Sequence, residues 1–69
     1  MFNYKIEIDR EEDGRWIAEV PELPGVMVYG QTEPEAVSRV KALALRVLAD
    51  KIEESENSSV AMTINFAAA

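Results

Sequence analysis

Residues 21–36 read PELPGVMVYGQTEPEA, and the rest of the chain is organised around them. Pro21 and Pro24 stand three apart, and both cannot lie in a paired strand, because each lacks the N–H that a ladder uses. The opening of the stretch is therefore a connection of fixed course, with Gly25 following it. Val26 to Tyr29 is then a short apolar strand, VMVY, closed by Gly30. Thr32 and Glu35 have the T-x-x-E spacing of a capping box, in which two side-chain oxygens accept backbone N–H groups that a starting helix leaves unpaired. Pro34 falls in the first turn, where a missing N–H does no harm.

Towards the C-terminus, residues from Glu33 to about Glu54 contain no glycine and no further proline, and good helix formers dominate. Val37, Val40, Ala44, Val47, Leu48 and Ile52 make one apolar stripe, with Ala36 and Leu43 beside it. Glu35 with Arg39 and Arg46 with Asp50 are i,i+4 pairs on the polar side. The polar run EESENSS at 53–59 ends the helix. A last strand follows, with Val60, Met62, Ile64 and Phe66 alternating against Ala61, Thr63 and Asn65, and the three terminal alanines carry no signal.

Towards the N-terminus, Phe2, Tyr4, Ile6 and Ile8 alternate with Asn3, Lys5, Glu7 and Asp9, which is a strand with one buried face. REEDG at 10–14 ends in an Asp-Gly pair suited to a turn with positive φ. Alternation resumes with Trp16, Ala18 and Val20 against Arg15, Ile17 and Glu19, so the first two strands form a hairpin.

The order β-β-β-α-β places the chain in the α+β class. Three meandering strands are followed by a helical crossover, so the last strand runs parallel to the one it joins. Strand order 3-2-1-4 satisfies this: a four-stranded mixed sheet with one long helix on one face. The other face needs polar side chains or a second subunit. Ile17 lies on it and Leu45 falls off the helix stripe. Met62 and Ile64 lie on an exposed edge strand open to edge-to-edge pairing. These four residues are the candidate oligomer interface, and a dimer or tetramer is expected.

Composition excludes much chemistry. The 69 residues include no cysteine and no histidine, which removes disulfides, thiolate nucleophiles, sulfur-ligated zinc and the commonest general base. No apolar run is long enough to span a membrane and no leader is visible, so a cytoplasmic, single-domain chain is expected. Thirteen acidic against seven basic residues give a net charge of −6. That balance repels phosphate backbones, disfavours direct nucleic-acid binding and favours a basic partner.

The segment from Trp16 to Leu48, WIAEVPELPGVMVYGQTEPEAVSRVKALALRVL, resembles the HicB-like antitoxin family. The motifs are Trp16 and Ala18 in a strand, Pro21-Glu22-Leu23-Pro24-Gly25, Gly30-Gln31-Thr32, and Glu35-Ala36, after a YKIEI strand and an acidic hairpin. Val26 stands where the family often has a small residue or Cys, and Gln31 where it often has Asp. The resemblance implies a partial RNase H-like fold over residues 1–69, without enzymatic activity or cofactor. It implies an inhibitor of a small basic HicA-like toxin that cleaves mRNA. No room is left for the C-terminal DNA-binding module of many HicB antitoxins. The alternatives are a small metal-dependent nuclease of degenerate RNase H type and an oligomeric scaffold.

The candidate partner-binding residues are Glu11, Glu12 and Asp13 in the hairpin, and Glu22 and Leu23 in the proline loop. Five of the seven residues from Glu7 to Asp13 are acidic. They form either a patch complementary to a cationic partner or a solubilising tip. Glu7 and Asp9 share a strand face, the spacing at which two carboxylates approach one Mg²⁺. No metal ligand is assigned, because the helices that would complete such a site are missing. The proline loop either presents Glu22 and Leu23 or is a rigid connector. Trp16 is either an interface anchor or a core residue against the helix, and its phase with Ala18 and Val20 favours the core. Arg39, Lys41 and Arg46 form a solvated helix face.

Overall fold

The computed structural model describes residues 2–55 and 62–68. Its elements are β1 (Phe2–Arg10), β2 (Trp16–Glu19), β3 (Met27–Gly30), α1 (Glu33–Ser55) and β4 (Ile64–Ala68). The sheet order is β3-β2-β1-β4, with β1–β2 and β2–β3 antiparallel and β1–β4 parallel. This is the α+β arrangement expected from the strand and helix signals.

The turn and cap signals have their structural counterparts. In the first hairpin Glu11 N–H donates to Arg15 C=O and Gly14 N–H to Glu11 C=O, and Gly14 takes the left-handed φ of 93° that the turn requires. At the helix start, Thr32 Oγ1 accepts Glu35 N–H at 3.2 Å, while the Glu35 carboxylate reaches back to Gln31 N–H at 3.0 Å. The cap is thus reciprocal, with the glutamate bonding one residue earlier than in the standard box.

Register sorts the side chains into two faces. Ile8, Ala18 and Val28 lie across from one another on β1, β2 and β3, and so do Arg10, Trp16 and Gly30. With Ile6, Val20 and Val26 these form the face under α1. The fully buried ridge of the helix is Ala36, Val40, Ala44 and Leu48. Ala36 is therefore central to the stripe, not beside it, because β3 ends in a glycine against which only a small residue fits. Trp16 is half-buried and packs on the core, with the Arg10 guanidinium 5.5 Å from its ring centre.

Several further expectations are corrected. Leu23 is 4% exposed and belongs to the core. Two successive turns, Leu23 N–H to Val20 C=O and Val26 N–H to Leu23 C=O, fold the proline loop back beneath the sheet end and turn this side chain inward. Met62 and Thr63 precede the last strand, which begins at Ile64, because Ile64 is already opposite Phe2, where β1 starts; Val60 and Ala61 lie outside the described residues. The strand runs on through Ala67 and Ala68, opposite Lys5 and Ile6, since a ladder uses only backbone groups. The Arg46–Asp50 pair does not form, whereas Glu35–Arg39 does at 3.3 Å. A cation N-terminal to its anion is the weaker orientation on a helix.

Finally, Ile17, Leu45, Met62 and Ile64 do not form one surface. Ile64 packs against the core on the helix side of the sheet. Ile17 lies on the opposite face, and Leu45 is exposed on the outside of α1. Alternation along β2 and the period of α1 send these two away from each other.

Candidate functional site

The face of the sheet turned away from α1 is uncovered. Its side chains come from the alternate positions of each strand, and register sets them in rows. Asp9, Ile17 and Tyr29 make one row; Glu7, Glu19 and Met27 make the next. Glu7 and Glu19 are directly opposite each other in an antiparallel ladder, an arrangement in which like charges destabilise the pair. Among the described residues no ion pair engages Glu7, Asp9 or Glu19. Met27 and Tyr29 are 46% and 38% exposed, so an apolar strip borders the carboxylates. Glu7, Asp9, Glu11, Ile17 and Glu19 line one shallow concavity of about 460 Å³.

The hairpin tip continues this face. Glu12 and Asp13 are exposed and Glu11 is partly so. Asp13 is tied inward: its carboxylate accepts Arg15 N–H at 3.1 Å and Arg15 Nε–H at 2.8 Å. The Arg15 guanidinium also sits 4.4 Å from the Tyr29 ring centre, so this cation is already occupied on two sides. The backbone bond from Arg15, followed by its side-chain bond and charge, holds the Asp13 carboxyl below its ordinary 3.8. A lowered folded value means that the contribution is present above the ordinary carboxyl range and is lost as pH falls through the lowered value. NMR titration should therefore place Asp13 below 3.8. Arg15→Ala should restore the ordinary value only in part, because the backbone donor survives.

The proline loop supplies less than its sequence suggests. Glu22 is exposed, but its carboxylate accepts the Lys5 N–H at 3.2 Å, where β2 has ended and β1 has no strand on that side. Leu23 is buried and offers nothing to a partner. Glu7 and Asp9 do share a face, but no group of three or more metal-ligating side chains is close enough to hold an ion among the described residues. Arg39 is more than a solvated cation: its Nη1 donates to Tyr29 C=O at 3.0 Å, and Nη2 pairs with Glu35. No helix is long and apolar enough to cross a membrane among the described residues.

The features sequence reasoning missed on this face are the Glu7–Glu19 opposition and the Met27–Tyr29 strip. Both depend on strand register. The alternation of β1 and β2 places the glutamates on one face, but only the length of the hairpin turn sets them opposite each other.

The chain is 33% identical over 51 residues to UPF0150 protein Ta0767 of Thermoplasma acidophilum, a match covering 74% of this chain and 72% of that protein. This chain belongs to the UPF0150 family. No family model matches it. No solved structure matches it either. In this UPF0150 chain the exposed acidic side chains lie on the open sheet face and hairpin, and Leu23 ties the proline loop into the core.

Proposed function

We propose that this UPF0150 chain is a HicB-like inhibitor protein that binds a small basic, mRNA-cleaving toxin and blocks its active site, doing no chemistry itself. The reading is supported by the relation of UPF0150 to HicB-like antitoxins and by the acidic, uncovered sheet face. The observation that carries it is the Glu7–Glu19 pair. Two like charges held opposite each other cost a few tenths of a kcal/mol up to about 1 kcal/mol in the free protein. A lysine or arginine from a partner placed between them converts that repulsion into attraction. Exposed Met27 and Tyr29 beside them give the contact an apolar centre. Charge complementarity of this kind raises the association rate and rejects acidic competitors.

The test is growth rescue. A small basic toxin frame encoded beside this one is induced with and without this chain. Arrest by the toxin alone and recovery with both is the expected result; continued arrest despite folded inhibitor sinks the reading. The variant Glu11→Lys/Glu12→Lys/Glu19→Lys should then slow association with the purified toxin by about tenfold or more and flatten its salt dependence. Rates equal to those of the parent chain would leave the acidic face without a role in docking.

A further inference from the structure

We propose that the outer edge of β4 is where two copies of this chain pair, antiparallel about a twofold axis, to make one continuous sheet of eight strands from two sets of four. The two edges of the sheet are β3 and β4, and they are built differently. At β3, residues 26, 28 and 30 direct their backbone groups at β2, so Met27 and Tyr29 face outward. That edge is guarded: Met27 N–H donates to Gly25 C=O, and Arg39 places its guanidinium on Tyr29 C=O. A charged side chain and a locally satisfied donor are two of the ways in which native edges refuse another strand.

Among the described residues the β4 edge has neither: Lys41, which shares a concavity with Phe66 and Ala68, belongs to the helix side and not to the strand edge. Phe2 N–H donates to Thr63 C=O at 2.7 Å, and the parallel register continues from there. Thr63, Asn65 and Ala67 therefore direct their backbone groups at β1, while those of Ile64, Phe66 and Ala68 point out of the sheet. Among the described residues no strand lies beyond them. Residues 62–69 read MTINFAAA, with no charge and no proline. Nor does the helix shield this side: α1 packs chiefly on β3 and β2, less on β1, and hardly touches β4. Phe66, its ring 5.9 Å from that of Tyr4, and Ile64 are consequently only half-buried on the helix side.

Charge identifies the occupant. At net −6, two copies repel each other over most of their surface, and the longest uncharged stretch of the chain is 57–69. A cationic partner finds no counter-charge on this stretch and meets Lys41 beside Phe66 and Ala68, whereas the stretch itself sets no charged side chain against a second copy. In a twofold antiparallel pairing Phe66 faces Phe66 of the second copy and Ile64 faces its Ala68. Each of the three outward residues then exchanges both backbone bonds, about six in all. The Tyr4–Phe66 row becomes continuous across the axis. An isologous contact of this kind closes at two copies and leaves the guarded β3 edges at the ends of the sheet.

Sedimentation equilibrium of the full chain should show a dimer at about 0.1 mM or below. Ala68→Pro removes an outward N–H from each copy while leaving the bonds to β1 intact, so it should weaken the dimer by at least about tenfold with an unchanged circular dichroism spectrum. A chain that is monomeric throughout that range, or a dimer indifferent to Ala68→Pro, overturns the proposal. Register is tested independently of Ala68. The chain has no cysteine, so when Asn65→Cys and Ala67→Cys chains are mixed and oxidised, each should crosslink to the other in preference to itself. Preferential self-crosslinking, or no crosslinking in a mixture that sediments as dimer, overturns the pairing.

Discussion

Gly30→Ala should lower the free energy of unfolding by about 3 kcal/mol, at the upper end of what overpacking a core position costs. Gly30 is the last residue of β3, buried and opposite Trp16. A Cβ built on it would lie 2.6 Å from Ala36 N, 3.0 Å from Ala36 Cα and 3.1 Å from Ala36 Cβ. The obstacle is the backbone of the first helical turn, which cannot rotate away as a long side chain would. Nor can the helix retreat cheaply. Its start is held by the Thr32 and Glu35 cap, and its buried ridge continues through Val40, Ala44 and Leu48. Gly14→Ala is the control. There a Cβ meets nothing within 4 Å, and the cost comes only from the left-handed φ of 93°, about 1 kcal/mol. Urea unfolding of both variants decides the matter. If Gly30→Ala costs no more than Gly14→Ala, the close approach of β3 to α1 is not as described.

The same close approach shows where sequence patterns stop being informative. Alternation in FNYKIEID and WIAEV, the REEDG turn and the T-x-x-E cap are local signals, and each has its counterpart in β1, β2, the first hairpin and α1. Strand order followed from connection lengths and crossover geometry. Three features were not legible because they depend on what meets across space. Ala36 became central to the core because Gly30, six positions earlier, has no side chain. Helical period alone sends Arg39 to solvent, yet the end of β3 brings Tyr29 C=O within its reach. Ile64 and Ile17 both alternate correctly, but only the sheet's single covered face decides that one packs on the core while the other does not.

The candidate site divides in the same way. The acidic character of the hairpin and of the first strand is plain in the sequence, and the structure keeps Glu7, Asp9, Glu12 and Asp13 exposed. Which carboxylates remain available is a tertiary matter. Asp13 is tied to Arg15 and Glu22 to the Lys5 backbone, whereas Glu7 and Glu19 confront each other with no ion pair among the described residues. A docking surface argued from charge therefore centres on the middle of the sheet, not on the proline loop.

Leu23→Ala separates these two assignments of the proline loop. Leu23 is buried with Val20, Val26 and Leu48, and truncating it removes apolar volume from a core of few large side chains. The expected loss is about 3 kcal/mol, within the range for buried leucines. In a domain of this size that corresponds to a fall in Tm on the order of 15 °C. A 69-residue chain has little stability in reserve, so a substantial unfolded fraction near 37 °C is expected. Its neighbour behaves differently. Glu22→Ala removes one exposed hydrogen bond to Lys5 N–H and should cost about 0.5 kcal/mol. If Leu23 instead met a partner, its truncation would leave thermal unfolding unchanged and weaken the complex, the opposite pattern. Burial predicts that the residual folded fraction of Leu23→Ala binds the proposed basic partner with parental affinity, because the proposed contact surface lies on the far side of the sheet from this side chain.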